Sequence, residues 1–437
     1  MEKLDEILRT AVDLAAAAPA WLGDRRRAAA AVVEEGRLPT TSDEAWKYTS
    51  LKDISDQPYR LATAADALGF AEIDLTHFEH AGSDGPFAVI VNGHLRADLS
   101  RLDNLPSGVT LRTLASLSEA ELGPLVSTLD GVESAAFSAL NLATFGDGLL
   151  LDVADGASAT NPIALIFVAD GQAPLLSAPR IVINAGRNSS VRVIEQYLSV
   201  AGNCGLTNCV TNIELAEGAC VYHHRLQDEA ETSAHIGRID AKVSSNANLH
   251  SDSVAFGGRL TRVDIEVALA GRGARCRLNG LFATHGEQHI DHHTTVDHLV
   301  GDTHSEELYR GILDGHSRGV FNGKVIVHRD AQQISARQAS NNLLLSRQAE
   351  IDTKPELEIY ADDVTCAHGA TVGNLDEGAL FYLRSRGIGN AEARALLTYA
   401  FAEQVIESIP LDSVRRAIEQ RFIGHTDMST LAQGIQP

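Results

Sequence analysis

The densest set of side chains able to hold a metal or move a proton is His285-Gly-Glu-Gln-His289-Ile-Asp291-His292-His293-Thr-Thr-Val-Asp297-His298, followed by His304 and Glu306. On a strand, His289, Asp291 and His293 share one face and His292 takes the other. Imidazole and carboxylate on one face suit zinc or iron. The His-Glu-x-x-His spacing of a helical metallohydrolase site is missing. Three readings stay open: a bound metal, a transient metal or interface role, and polar ladders stacked along a β surface. The missing spacing favours the ladders and predicts no permanent mononuclear site.

A second constellation is Asp362-Asp-Val-Thr-Cys366-Ala-His368-Gly369. Residues two apart on a strand project from one face, so thiol and imidazole could approach one metal together or act as nucleophile and base. Cys204, Cys209, Cys220 and Cys276 form no Cys-x-x-Cys pair with one another or with Cys366, and read as small buried hydrophobes. The chain carries no Gly-x-x-x-x-Gly-Lys-[Ser/Thr], no Gly-x-Ser-x-Gly and no dinucleotide fingerprint after a strand, so neither its own nucleotide site nor a serine hydrolase is expected. Its carboxylates permit a glycosidase pair, but spacing does not select one.

What must position these groups follows from the rest of the chain. Its 437 residues suggest two or three units of ~100–200 residues, or one elongated body with appendages. With 44% hydrophobic and 22% charged residues it can bury a substantial core. The net charge of −22 repels phosphate backbones and disfavours nucleic acid. The longest apolar run, Ile163 to Ala169, falls far short of the ~20 residues a spanning helix needs, which speaks against a membrane. Met1 to Arg9 lacks the form of a signal peptide, and the odd, scattered cysteines read as cytosolic thiols, so a cytoplasmic protein is expected.

Residues 2–35 show helical spacing through Leu4, Ile7, Leu8, Ala11 and Leu14, and Thr41-Ser-Asp-Glu44 offers a capping box ahead of Ala45-Trp46-Lys47-Tyr48. The first 60 or so residues are therefore expected to be helical. Between about 162 and 360 the texture becomes short Val/Ile-rich runs broken by Gly, Asn and Asp, at Ile163–Ala169, 180–184, 190–200, 209–215, 219–226, 261–270, 274–284 and 320–327. Alternation within them has period two, and no helical pattern of crossover length intervenes, which rules against a doubly wound sheet. The cadence favours a β-helix, with a sandwich or cupin-like core as rival. Near the end, Asn390 to Ile409 carries Leu396, Leu397, Phe401, Val405 and Ile406 on neighbouring stripes; Pro410 separates it from a second helix bearing Val414 and Ile418. Such stripes need something to lie on, either the β core or another protein.

The C-terminal third reads as a family signature: Ala339-Ser-Asn341-Asn342-Leu343, Thr353-Lys354-Pro355, Ala361 to Gly373, and Phe381-Tyr-Leu-Arg384-Ser-Arg386-Gly387-Ile388. With Glu44-Ala-Trp46-Lys47-Tyr48-Thr49, His289 to His293 and Val320-Phe-Asn-Gly323 upstream, the chain resembles the SufB/SufD family of iron–sulfur cluster assembly proteins, on the SufD side, from about residue 40 to 425. The resemblance implies a mainly β protein, a right-handed parallel β-helix flanked by N-terminal and C-terminal helical regions. It implies a division into an N-terminal helical region (1–85), a mixed connecting region (86–160), the β-helix (161–375) and a C-terminal helical region (376–437). It further implies a non-catalytic subunit that pairs with a SufB-like scaffold and binds a SufC-like ABC-type ATPase through its C-terminal helices, with a homodimer possible in isolation. His368 and Cys366 would then stand at the cluster-assembly interface as transient metal ligands, the isolated chain holding no cofactor tightly. Leu396, Leu397, Phe401, Val405, Ile406, Val414 and Ile418 would form the ATPase dock. The alternatives are a self-sufficient SufB-like scaffold and a polysaccharide-active β-helix enzyme.

Overall fold

The computed structural model describes residues 12–16, 20–35, 38–55, 57–70, 85–118 and 136–425, with Thr10, Ala18 and Glu121 besides. The expected N-terminal turn of Leu4, Ile7 and Leu8 and the tail beyond His425 lie outside the described residues. Five strands come first: β1 (Arg60–Leu61), β2 (Phe87–Val91), β3 (His94–Leu95), β4 (Val109–Thr113) and β5 (Leu149–Val153). They are followed by β6 (Ile163–Ala169), β7 (Leu175–Ser177), β8 (Arg180–Ala185), β9 (Ser190–Ser199), β10 (Leu206–Leu215) and β11 (Cys220–Asp228). The remainder are β12 (Ala234–Val243), β13 (Asn248–Ala255), β14 (Leu260–Leu269), β15 (Arg275–Thr284), β16 (His289–His298), β17 (His304–Leu313), β18 (Arg318–Val327), β19 (Ile334–Leu344), β20 (Glu350–Ile359) and β21 (Val364–Gly373).

From β8 onward the even strands stack in one sheet and the odd strands in the other, all parallel, so each coil gives one strand to each sheet. This is a right-handed parallel β-helix, and the sandwich and cupin alternatives fall. The coil is held by a corner that repeats. Asn188, Gly218, Asn246, Gly273, Asp302 and Gln333 all adopt positive φ, and each donates its backbone N–H to a carbonyl of the next coil. A Cβ at Gly218 would lie 2.2 Å from Asn188 Oδ1, and one at Gly273 2.4 Å from Asn246 Oδ1. The alternation of Asn with Gly thus serves both the left-handed backbone and the stacking distance.

The two ends of the solenoid differ. At the N-terminal end both sheets finish in short antiparallel pairs, β2 with β3 and β4 with β5. Helices α1 (Ala20–Glu35) and α2 (Ala136–Thr144) cover this end, and Asn141 donates to the carbonyls of Pro179 and Asn208 while accepting from Arg180. At the C-terminal end β20 and β21 are the last strands of their sheets, and no described strand pairs beyond them.

Three helices follow: α3 (Glu377–Ser385), α4 (Asn390–Ser408) and α5 (Asp412–His425). Along the second half of the odd strands the outer face is apolar. Leu226, Val254, Leu281, Ala283 and Ile312 point outward and are covered by Val405, Ile406, Val414 and Ile418.

The N-terminal expectation is corrected. Residues 41–60 are not a capped helix: Glu44–Trp46 form one 3-10 turn and Lys52–Ser55 a separate short helix. Asp43, not Thr41, immediately precedes the turn, and its side chain accepts from Thr40 N–H and Oγ1 without capping the turn itself. Tertiary contacts override helix propensity here, because Trp46 lies under the Arg262 guanidinium at 3.9 Å and Thr49 is drawn to Asp291.

Candidate functional site

The exposed end of the solenoid carries the Cys-x-His-Gly motif. Cys366 and His368 lie on β21 in register with Ala336 and Gln338 of β19, both buried on the interior face. They therefore share the interior-facing side of a coil that no further coil covers, and His368 is exposed while Cys366 packs partly against the interior core. Burial pushes the Cys366 thiol above its ordinary value, so the isolated chain does not present it as a thiolate. A thiol and an imidazole on one mouth supply two of the donors an iron–sulfur centre needs. The rest must come from outside this pair, and among the described residues no group of three or more His, Cys, Asp and Glu is arranged to hold a metal ion.

The histidine-rich stretch is strand β16, and its two faces do different work. On the outer face Asp291 Oδ2 accepts from Arg262 Nη1 at 2.9 Å and Thr49 Oγ1 at 2.5 Å, its Oδ1 lies 3.0 Å from His293 Nε2, and His289 Nε2 is 3.1 Å from Thr49 Oγ1. Against its burial, His293 and Arg262 hold Asp291 well below the usual carboxylate range. Arg262 Nη1 also donates to the carbonyl of Ala45, and Lys354 on β20 pairs with Glu44 at 2.9 Å. The Glu-Ala-Trp-Lys-Tyr-Thr segment is thus a strap tied to the solenoid through the very residues that suggested a metal. On the other face His292 is fully buried, 3.1 Å from Ser253 Oγ and stacked on Phe282, and burial keeps it neutral, pulled down to about 3.

Sequence reasoning missed the polar interior. Cys209 Sγ lies 3.2 Å from His235 Nε2, and Glu229 Oε2 lies 2.5 Å from His235 Nδ1, all buried between the sheets. Although burial works against both charged forms, Cys209 is held below and His235 above its ordinary value by mutual attraction, with Glu229 supporting the imidazolium. One coil apart, Glu195 accepts from Thr211 and Tyr197 and faces His223 at 3.2 Å. Further along, Glu307 Oε2 accepts from Thr294 of the opposite sheet at 2.6 Å and Oε1 from Gln338 Nε2 at 3.1 Å; burial pushes its carboxyl up to about 7. The available signal was position: these polar residues fall on the interior period of their strands, where apolar residues are the rule.

The residues expected to dock an ATPase are divided by the structure. Val405, Ile406, Val414 and Ile418 are buried in the chain's own core against the odd-strand sheet, and Leu396 and Phe401 pack partly against it. Those four cannot meet a partner while the helices stay docked, and Leu397 is half-buried. On the described C-terminal helices the large apolar side chains left outside are Phe381 and Tyr382 of α3, 73% and 54% exposed, with Arg386 stacked over Tyr382 at 4.7 Å.

Comparison with known proteins agrees with this architecture. Residues 167–401 match the family described as "SUF system FeS cluster assembly, SufBD core domain", and residues 7–165 match the SufBD protein N-terminal region. An iron–sulfur cluster assembly SufBD family protein of Synechocystis is 32% identical over 91% of this chain and 90% of its own length. The iron–sulfur cluster assembly protein SufD of Escherichia coli is 29% identical over 88% of each chain, and the chloroplastic protein ABCI7 of Arabidopsis thaliana is 30% identical over 75% of this chain and 71% of its own. No described helix is long and apolar enough to cross a membrane. With family matches that together span most of the sequence and a relative 32% identical over 91% of it, the chain is a member of the SufBD family of SUF-system iron–sulfur cluster assembly proteins.

Proposed function

We propose that this chain is the SufD-like, non-catalytic subunit of an iron–sulfur assembly complex, pairing with a SufB-like scaffold through its last coil and binding a SufC-like ABC-type ATPase through its C-terminal helical region. The single observation that carries the reading is the asymmetry of the solenoid: at one end both sheets finish in short antiparallel pairs, and at the other β20 and β21, the latter carrying Cys366 and His368, have no described strand on their outer edges. Unpaired strand edges are templates for pairing with another chain. A second β-helix that adds its own strands there covers the mouth and brings further ligands to the thiol and imidazole, which alone are half a site. Iron and sulfide are then cargo, held transiently between two chains, and the isolated chain retains no cluster. Without its partner the same edges pair two copies of this chain.

The ATPase dock belongs on α3 and the solvent side of α4, where Phe381 and Tyr382 are exposed. Energy from nucleotide hydrolysis must come from a partner, since the chain has no phosphate-binding loop. All five cysteines are free thiols, in keeping with work in the reducing cytoplasm. Co-purification with the SufB-like and SufC-like chains of the same cell, followed by iron and sulfide counting, tests the reading. A three-component complex that accumulates both elements supports it; a lone chain that holds a stoichiometric cluster after anaerobic reconstitution replaces it with the self-sufficient scaffold.

A further inference from the structure

Gln338 stands directly beneath His368 in the parallel register, one coil inside the open end. The same register sets Glu307 beneath Gln338, so three polar residues follow one another along a single interior column. Gln338 is 3% exposed. Its Nε2 donates to Glu307 Oε1 at 3.1 Å, and Glu307 is itself fixed across the interior by Thr294 Oγ1 at 2.6 Å. Its other polar atom, Oε1, is buried and has no hydrogen-bond partner. A buried carbonyl oxygen without a donor carries a desolvation cost that native structures rarely leave unmet. The opposite wall is shaped for this side chain. Gly323 lies across from it, and a Cβ there would fall 2.3 Å from Gln338 Nε2. Gly323 pairs with Thr294 on one side and Pro355 on the other, so the wall opposite the column reads Thr, Gly, Pro.

We propose that Gln338 is a positioning residue for His368: Glu307 holds the amide from below, and its unpartnered carbonyl accepts the N–H of the His368 ring, fixing the tautomer and leaving the second ring nitrogen's lone pair toward the mouth. Which nitrogen of an imidazole is free to bind a metal or a proton is set by the hydrogen bond that the other makes. β21 is in register with β19 and no described strand pairs beyond it, so His368 is the next side chain of the column after Gln338, and the contact forms when its exposed ring turns inward. Gly323 supplies the space that keeps Gln338 in place. The inference rests on the reading of His368 as a working group at the cluster interface, but its test does not.

The full-length chain labelled with 15N-histidine gives ring nitrogen shifts that report tautomer directly, and loss of one signal set in His368→Asn assigns His368. In the native chain one tautomer should dominate. The near-isosteric Gln338→Met should shift the tautomer ratio toward that of free imidazole by about fivefold, the worth of one net hydrogen bond. Gly323→Ala, which displaces Gln338 without altering its chemistry, should shift the ratio the same way. A purely structural Gln338 would lower the melting temperature in Gln338→Met without moving the ratio, and a folded Gln338→Met with the native ratio overturns the proposal. If Gln338→Met does not fold, an unchanged ratio in Gly323→Ala overturns it equally. Cluster accumulation that survives His368→Ala would remove the functional reading of His368 and leave the tautomer result standing, so the two failures are distinguishable.

Discussion

Thr49 Oγ1 donates to Asp291 Oδ2 over 2.5 Å, tying the N-terminal strap to the histidine-rich strand across 242 residues of sequence. Asp291 is completely buried and relies on Arg262, His293 and Thr49 to satisfy its charge. Removing a donor from a buried carboxylate costs more than removing an exposed bond, because the charge left behind keeps its desolvation.

Thr49→Val should therefore destabilise the chain by about 2 kcal/mol, in the range for hydrogen bonds to charged groups. Thr49→Ser, which keeps the hydroxyl, should recover most of it. Urea unfolding followed by the emission of Trp21 and Trp46, the latter stacked under Arg262, reads both global stability and release of the strap. Native stability in Thr49→Val would mean that the strap is held by Trp46 and Arg262 alone.

Glu307 gives the fold a pH dependence of predictable sign. Its folded carboxyl is pushed up to about 7 by burial, above the 4.5 of an exposed glutamate. Between those values the folded chain binds the proton and the unfolded chain does not, so this residue's contribution to stability is greatest below about pH 4.5 and is lost as pH rises through about 7. Tyr309 and Cys276 face the same carboxylate and are themselves pushed up by burial and by it, so neither offsets its charge. Glu307→Gln should stabilise the chain at pH 8 by about 2–3 kcal/mol and flatten the slope between pH 5 and 8. A slope as steep as the native one would assign it to other groups.

The C-terminal helices separate core from contact. Ile406→Ala removes a side chain wedged against the odd-strand sheet and should cost about 3 kcal/mol in stability. Phe381→Ala and Tyr382→Ala should leave the melting temperature within about 2 °C of native, as exposed substitutions do, while weakening ATPase capture at least about tenfold if these side chains anchor the partner. Unchanged capture by the double variant would move the dock off α3.

The same residues show how far the sequence could be read. Strands whose interior positions are apolar announce themselves, Ile163–Ala169 as a continuous apolar run and Leu260–Leu269 by alternation. Strands β12, β13, β17 and β19 do not, because His235, Ser251, Ser253, Glu307 and Gln338 occupy the interior period where a hydrophobe was sought. The positions of α4 and α5 were legible from their stripes. The stripes did not reveal what they cover, since an apolar face looks the same whether it meets its own sheet or another protein. Cys366 and His368 could be placed on one face from their spacing of two. That this face is the uncovered mouth of a solenoid depends on where the stacking of coils stops, which local sequence does not encode.

His368 carries the last expectation. A neutral imidazole coordinates iron or accepts a proton near pH 7, and alanine does neither. If His368 acts chemically at the mouth, His368→Ala should leave the three-component complex assembled and its ATPase competent while lowering cluster yield. His368→Cys should retain part of the yield if the role is ligation, because a thiolate is also a cluster ligand, and should rescue poorly if the role is proton transfer. If instead the ring only closes the end of β21, substitution should weaken assembly and yield in parallel. Subunit stoichiometry and iron content measured on the same samples separate these outcomes. An intact alanine-substituted complex with normal cluster accumulation removes His368 from the mechanism and leaves Cys366, one residue pair along the same interior face, as this chain's remaining donor at the interface.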